Sequence, residues 1–254
     1  MKQLRILVTN DDGVESPGIQ ALAAAVSDLG HDLLVVAPLD DQSGVGSARA
    51  ARIGQPIRTK VLDSGFIGIG GTPALAVTLA RLGAFGPPPD LVLSGINHGI
   101  NIGVSIFHSG TVAAALTAAS QGMSGLAVSI GSEDPRFLET AGGIAAEATR
   151  WLVTAPAGTV LSVNVPDVPA SDIQGLRWAR LTPISRSRLA AEITPTGEPM
   201  IVLDTPAEPA EPDTDEALLS AGYATVTPII GVRDLSDQSA ARYLQAQWNG
   251  QAEL

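Results

Sequence analysis

The chain has no cysteine among its 254 residues. Disulfides and thiolate catalysis are thereby excluded, and a reducing compartment suits such a chain, so cytoplasmic residence is expected. Only three histidines are present. Without cysteine they leave little from which to build a zinc site of the usual kind. Basic residues are outnumbered, 15 Lys and Arg against 26 Asp and Glu, for a formal net charge of −11. Nucleic-acid polymers and anionic membranes are recognised by clustered Lys and Arg, so neither is expected as the main partner. A small anionic substrate stays open, because a bound metal supplies positive charge locally. No apolar run reaches the ~20 residues of a transmembrane helix without charge or Gly/Pro punctuation. Lys2 and Arg5 lead straight into a strand, with no secretory leader pattern. Aromatics are scarce at 4%, whereas Ala and Gly abound, which suits close helix–sheet packing. The length is enough to bury a substantial core without covalent staples.

What is present is organised around Arg5-Ile6-Leu7-Val8-Thr9-Asn10-Asp11-Asp12-Gly13. Residues 6–8 form a short apolar run suited to a buried strand. It ends on two carboxylates and an amide, where open α/β sheets place their ligands. Asp-Gly is also a turn signal, and Ser16-Pro17 supplies an N-cap and first helical residue. A turn with capping is the plain alternative for Asp11 and Asp12. Two adjacent like charges repel, however, and a turn needs only one of them. Acidic oxygens beside an amide make a hard anionic site suited to Mg²⁺ or Mn²⁺.

Along the chain, residues 17–29 have helical spacing, with Ile19, Leu22, Val26 and Leu29 on one face and Gly30 at the end. Residues 33–37 read as a second strand, so a right-handed parallel crossover is expected. Residues 39–52 are a polar loop containing Ser43-Gly44, on the same sheet edge as Asp11. That pair is ordinary loop chemistry in isolation, but its place makes it a candidate for metal or phosphate contact. Gly46 does not complete a Walker loop, since no Gly-Lys-Ser/Thr follows. Residues 66–69 form a strand, and Thr72-Pro73 opens a helix that Gly83 ends. The next strand is 91–93.

A second dense stretch, Ser94 to Thr111, follows that strand. Asn97 and Asn101 offer amide oxygens on a glycine-rich loop. Ser109-Gly110-Thr111 precedes an Ala-rich helix at 112–121, and hydroxyls with backbone N–H groups at a helix N-terminus make an anion site. Simple capping is the competing reading. His98 and His108 read as loop hydrogen-bonders and His31 as structural. Further on, 126–130 and 160–165 read as strands and 134–153 as a helix weakened by Gly142-Gly143. Residues 176–181, 189–194 and 200–203 look antiparallel, with Thr196-Gly197 as a hairpin turn. Residues 205–216 read as a mobile Pro- and acid-rich loop, 224–229 as a strand, and 236–248 as a helix capped by Ser236. Its apolar positions, Ala240, Tyr243, Leu244 and Trp248, predict docking. The change of pattern near Pro166 divides the chain into a Rossmann-like α/β core, 1–166, and an extension, 167–254.

These residues resemble the SurE (survival protein E) nucleotidases. Leu7-Val8-Thr9-Asn10-Asp11-Asp12-Gly13 looks like their opening motif. In order follow Ala37-Pro38 with Ser43-Gly44, Gly71-Thr72-Pro73-Ala74, Ser94-Gly95-Ile96-Asn97, Ser109-Gly110-Thr111-Val112, Val163-Asn164-Val165-Pro166, Thr214-Asp215, and Gly222-Tyr223 with Thr227-Pro228. The resemblance implies a metal-dependent phosphatase of nucleoside monophosphates. It implies a mostly parallel Rossmann-like sheet with helices on both faces, and a C-terminal hairpin and helix extension exchanged between subunits of a homodimer or homotetramer and partly returning to the core. It implies one divalent ion per subunit, Mg²⁺ or Mn²⁺, on Asp11, Asp12, Ser43 and Asn97. Phosphate would rest on Ser43, Gly44, Asn97, Ser109, Gly110 and Thr111.

The chemistry of the residues agrees. Hydrolysis of a nucleoside 5′-monophosphate to nucleoside and phosphate by metal-activated water needs an oxygen-rich cation site and an anion seat. Asp11 and Asp12 are the candidate catalytic residues. Asp11 as a phosphorylated nucleophile is the competing route. A broader phosphatase of 3′-nucleotides or short polyphosphate is the alternative in the same class, and a non-catalytic nucleotide-binding module the alternative outside it. A dinucleotide binder is disfavoured, because Asn-Asp-Asp-Gly stands where a GxGxxG loop is needed.

Overall fold

A computed structural model describes residues 3–49, 51–183, 188–204, 210–232 and 236–251 of the chain. Strand β1 (Arg5–Thr9) buries Ile6, Leu7 and Val8 completely. Helix α1 (Pro17–Ser27) starts as its sequence dictates: Ser16 Oγ accepts the Ile19 N–H, and Pro17 takes the first position. It ends earlier than its apolar spacing suggests, with Asp28 as C-cap and Gly30 at φ +75° beyond. Strand β2 (Asp32–Pro38) pairs with β1 in parallel, completing the first crossover.

Strands β3 (Thr59–Val61) and β4 (Ile67–Ile69) form a short hairpin on the β2 edge. The sequence reading missed β3, because all three of its residues are exposed and carry no apolar alternation. Thr72 caps α2 (Pro73–Arg81), and its hydroxyl donates to Ala48 O, tying the 39–52 loop to the helix. Strand β5 runs from Leu91 to His98, well beyond 91–93. Ser94-Gly95-Ile96-Asn97 is thus irregular strand instead of loop, with a cis Gly95–Ile96 peptide and a register shift against the next strand. Helix α3 (Gly110–Ser120), strand β6 (Ser124–Ile130), helix α4 (Leu138–Leu152) and strand β7 (Val160–Val165) follow.

Beyond Pro166, β8 (Leu176–Trp178) pairs in parallel with β11 (Ala224–Ile229), which is antiparallel to β7. The antiparallel expectation for residues 176–181 is therefore corrected. Their neighbour is the late strand β11, which no local turn could reveal. Strands β9 (Arg188–Ile193) and β10 (Pro199–Asp204) form the expected hairpin, closed at Gly197 with φ +85°. Part of the expected mobile loop is ordered. Thr214 caps α5 (Asp215–Ser220), and Asp215 is buried, while residues 205–209 lie outside the described residues. Helix α6 (Ser239–Gln251) begins three residues after Ser236, and Asp237 accepts the Ser239 N–H there.

The main sheet has the order β3-β4-β2-β1-β5-β6-β7-β11-β8. Helices α1 and α4 pack on one face around Ile19, Leu22, Leu93 and Leu126. Helices α2 and α3 cover the other face around Leu7, Val36, Val77 and Val92. From β1 the chain proceeds to β2 on one side, while β5 flanks β1 on the other. The carboxyl ends of β1 and β5 therefore meet at a topological switch point, the crevice where doubly wound sheets bind ligands. Close packing beneath this crevice depends on Gly18, where a Cβ would stand 2.0 Å from Ile96 O.

Candidate functional site

The switch point gathers polar groups that a buried sheet edge would otherwise exclude. Asn10 is fully buried, and its Nδ2 donates to Gly13 O (3.0 Å) and Ser16 Oγ (2.7 Å). Its amide nitrogen thus staples the turn after β1, while its Oδ1 is buried with no hydrogen-bond partner. The turn leaves Asp11 only 3% exposed and Asp12 half-buried at the end of β1.

Asp11 faces the start of α3. The Thr111 hydroxyl and backbone N–H both donate to its carboxylate. Thr111 Oγ1 also lies 3.1 Å from Asn97 Oδ1, so oxygens from β1, β5 and α3 converge on one hydroxyl. Asn97 Nδ2 is spent on His98 O (3.1 Å) and Gly99 O (2.7 Å), which fixes its Oδ1 toward Thr111. Gly110 makes the approach possible: a Cβ there would stand 2.7 Å from Asp11 Oδ2. Ser109 is the N-cap, its Oγ accepting the Val112 N–H at 3.1 Å.

Burial dominates the electrostatics. It pushes the Asp11 carboxyl up from its ordinary 3.8, opposed by the Thr111 hydroxyl. Asp12 is pushed up to about 7, first by burial and next by the charge of Asp11. The backbone N–H of His98 donates to Asp12 and works against the rise, whereas Asp41 and Glu133 add to it. Asp12 Oδ2 is buried with no hydrogen-bond partner. Two adjacent buried carboxylates, one with an orphaned oxygen, are what a hard cation neutralises. Among the described residues no cluster of three acidic, His or Cys side chains has metal-ligating geometry. A cation here would take two carboxylates and draw its remaining protein oxygens from amides and hydroxyls such as Asn97 and Ser43. That donor chemistry fits Mg²⁺ or Mn²⁺.

Ser43 and Gly44 occupy an exposed loop. The Ser43 hydroxyl donates to Asp41 Oδ1 (2.7 Å), as does its N–H (2.8 Å). The loop is nevertheless anchored at the site. Gln42 N–H donates to Asp11 O (2.8 Å), and Gly46 N–H donates to His108 O (3.0 Å). Asp11, Asp12, Asn97, Ser109, Gly110 and Thr111 are thus assembled directly, and Ser43 and Gly44 sit beside them on a tethered loop. The sequence reading did not single out Asp41 or Glu133 as site residues. Asp41 had one available signal, its place two residues before Ser43. Glu133 had none, because only the alignment of β5 with β6 brings it near Asp12.

A hollow of about 450 Å³ opens at the same sheet edge, with walls that include Ile100, Ile102, Gly131, Pro166, Val168 and Leu219. A larger one, about 1110 Å³, lies between α1, β2 and the β3–β4 hairpin, and neither hollow has Asp11 or Asp12 in its lining.

Residues 6–188 match the family described as survival protein SurE. A 5′-nucleotidase SurE of Legionella pneumophila is 39% identical over 231 residues, covering 89% of this chain and 90% of its own. A 5′/3′-nucleotidase SurE of Edwardsiella ictaluri is 39% identical over 260 residues, covering 98% of each. A crystal structure of the SurE protein from Aquifex aeolicus superposes with a TM-score of 0.81 at 32% identity, covering 95% of this chain and 99% of that one. With its switch-point carboxylates, its α/β sheet and this similarity over most of its length, the chain belongs to the survival protein SurE family.

Proposed function

We propose that the protein is a metal-dependent phosphomonoesterase that converts nucleoside 5′-monophosphates to nucleoside and phosphate. One observation carries the chemistry: buried Asp11, held against the N-terminus of α3, stands next to half-buried Asp12, whose Oδ2 is buried with no hydrogen-bond partner. The curated relatives bear the name nucleotidase, which supports the same activity. We assign one divalent ion per subunit, Mg²⁺ or Mn²⁺, to Asp11, Asp12, Asn97 and Ser43. When bound, such an ion neutralises phosphoryl oxygens and lowers the pKa of a water.

The chain's own residues do the rest of the work. Asp11 and Asp12 set the negative charge that draws the cation. Thr111 orients Asp11 through its hydroxyl, and the Nδ2 bonds of Asn97 to His98 O and Gly99 O hold its Oδ1 beside that hydroxyl. The first turn of α3, with Ser109, Gly110 and Thr111, presents its positive dipole end to the substrate phosphate. Ser43 and Gly44 close over it from the tethered loop. The hollow beside Ile100 and Pro166, whose walls mix apolar residues with Ser132, Asp167, Glu216 and Ser220, has the size to seat a nucleoside. Water is thereby excluded from one side of the phosphate, and the phosphoryl group is held for in-line attack.

The name of the Edwardsiella relative favours a second, wider reading, in which 3′-nucleotides are also taken. Phosphate release from a panel of 5′- and 3′-mononucleotides, with and without EDTA, tests both. Release from 5′-mononucleotides that EDTA abolishes and Mn²⁺ restores is the expected result. Full activity in excess chelator refutes the metal assignment.

We also place the protein in the cytoplasm; no helix among the described residues is long and apolar enough to cross a membrane. A homodimer or homotetramer is the expected assembly. Core 1–166 and extension 167–254 are the units we assign, the latter swapped between subunits.

A further inference from the structure

Asn164 and Asp215, which lie in the motifs Val163-Asn164-Val165-Pro166 and Thr214-Asp215 of the ordered series, supply no group to the chemistry above. Each is bonded to one loop. That loop, residues 99–109, joins Asn97 to Ser109-Gly110-Thr111 and contains a 3-10 turn, Gly103–His108.

Asn164 is 1% exposed on β7. Its Oδ1 accepts the Asn101 N–H (2.8 Å), and its Nδ2 donates to Asn101 O (2.8 Å). Asn101 in turn donates from Nδ2 to Ser129 Oγ on β6 (2.8 Å). One residue of the loop is therefore held by both of its backbone groups and by its side chain.

Asp215 is 1% exposed, and among the described residues no basic side chain pairs with it. Its two oxygens are divided between tasks. Oδ1 accepts the Thr182 N–H (3.0 Å), the Thr182 hydroxyl (2.7 Å) and the Glu216 N–H (2.9 Å). Oδ2 accepts the Gly103 N–H at 2.7 Å. The adjacent Val104 N–H donates to Thr182 O (3.1 Å). Gly103 has φ +58°, and a Cβ there would stand 3.0 Å from Thr182 O, so the loop and the 180s segment touch backbone to backbone. A buried carboxylate satisfied only by N–H and O–H donors is costly to leave half-bonded. It holds the loop firmly for that reason.

We propose that Asn164 and Asp215 are positioning residues: a clasp that holds the 99–109 loop and thereby sets the distance between Asn97 and the phosphate seat at Ser109-Gly110-Thr111. The clasp couples the seat to a segment more than a hundred residues away in the chain. The proposal rests on the reading of Ser109-Gly110-Thr111 as the phosphate seat.

Asp215→Asn separates the two tasks. The amide keeps one oxygen for Thr182 and Glu216 and turns an N–H₂ toward the Gly103 N–H, so the fold is retained and the loop bond is lost. Hydrogen exchange of the full-length protein reads the loop directly, and inhibition by inorganic phosphate reads the seat. Exchange across residues 100–106 should quicken and the inhibition constant for phosphate should rise, each about tenfold, as for loss of one hydrogen bond to a charged group. Mn²⁺ affinity measured without phosphate should stay within about twofold, since Asp11 and Asp12 are held by β1 and α3. Asn164→Asp, which loses the donor to Asn101 O, is the second variant and should behave alike. Unchanged exchange in both variants overturns the clasp. Faster exchange with unchanged phosphate inhibition overturns its positioning role. A wild-type protein that neither releases nor binds phosphate overturns the underlying functional reading, and exchange at Gly103 then still reports whether the bond exists.

Discussion

The Thr111 hydroxyl donates to Asp11 Oδ1, joining two residues one hundred positions apart. This bond marks where the end of β1 meets the start of α3. It gives one buried carboxylate a fixed orientation, while its neighbour Asp12 keeps an unpartnered oxygen. The consequences are measurable.

Asp11→Asn and Asp12→Asn should each lower kcat/KM on a nucleoside monophosphate by about 100-fold or more, since each removes charge from a hard-cation site while nearly preserving shape. Asn and Asp serve almost equally as caps and turn formers, so folding should be little affected. Near-native turnover in both variants, measured beside thermal melts of the metal-free proteins, would refute the metal assignment. Loss in Asp11→Asn alone, with Mn²⁺ affinity intact, would favour a phospho-aspartate route.

Asp12 also predicts an inverted pH dependence of stability. Its folded value of about 7 lies above its ordinary 3.8, so between these limits the native state binds more protons than the unfolded state. This contribution to stability is present in full below the lower limit and is lost as pH rises through the upper one. The metal-free protein should therefore lose Tm from pH 5 to pH 8 relative to Asp12→Asn, in which the group no longer titrates. Equal slopes in the two proteins would contradict the shift.

The same proton competes with the cation. Below about pH 7 the apparent Mn²⁺ affinity should fall about tenfold per pH unit, as expected when binding displaces one proton. Calorimetry in buffers of different ionisation enthalpy would count the protons released. A pH-independent affinity would place the ion elsewhere.

Gly110→Ala should harm activity more than folding. The added Cβ falls 2.7 Å from Asp11 Oδ2, so the carboxylate or the helix must move. Overpacking of this kind costs about 1–3 kcal/mol. The displaced carboxylate should in addition cost about tenfold or more in kcat/KM, because positional errors near an ångström are expensive in catalysis. A stable, fully active Gly110→Ala would show that the first turn of α3 does not seat the substrate.

Helix α6 leaves Tyr243, Leu244 and Trp248 from 64 to 76% exposed. Ile193 and Ile201 of the β9–β10 hairpin are exposed as well. Contiguous exposed apolar surface marks sites of association, and the proposed homo-oligomer would cover these side chains. Removing residues 236–254 should lower the mass seen by light scattering toward that of a monomer. An unchanged mass would count against a tail-mediated interface.

Local physics made the parallel core legible in the sequence. The apolar run before Asn10-Asp11-Asp12-Gly13 forms β1, and Ser16-Pro17, Thr72-Pro73 and Ser109 each begin a helix, because strand burial and capping depend on neighbours in the chain. The candidate ligands Asp11, Asp12 and Asn97 were legible for the same reason, each at a strand's carboxyl end. Pairing between distant segments was not. Nothing near residues 176–181 announces a parallel partner at 224–226, and nothing near Asp215 announces Gly103. The Pro- and acid-rich run before Ala217 reads locally as loop, yet Asp215 is buried because its carboxylate meets donors from Gly103 and Thr182. The shift at Asp12 arises likewise from burial in the folded chain and from charges on Asp11, Asp41 and Glu133. Sequence alone thus determined which residues stand as candidates at the strand and helix ends. Only the tertiary structure decided how they are held and charged, because burial and hydrogen bonding across the sheet depend on which strands become neighbours.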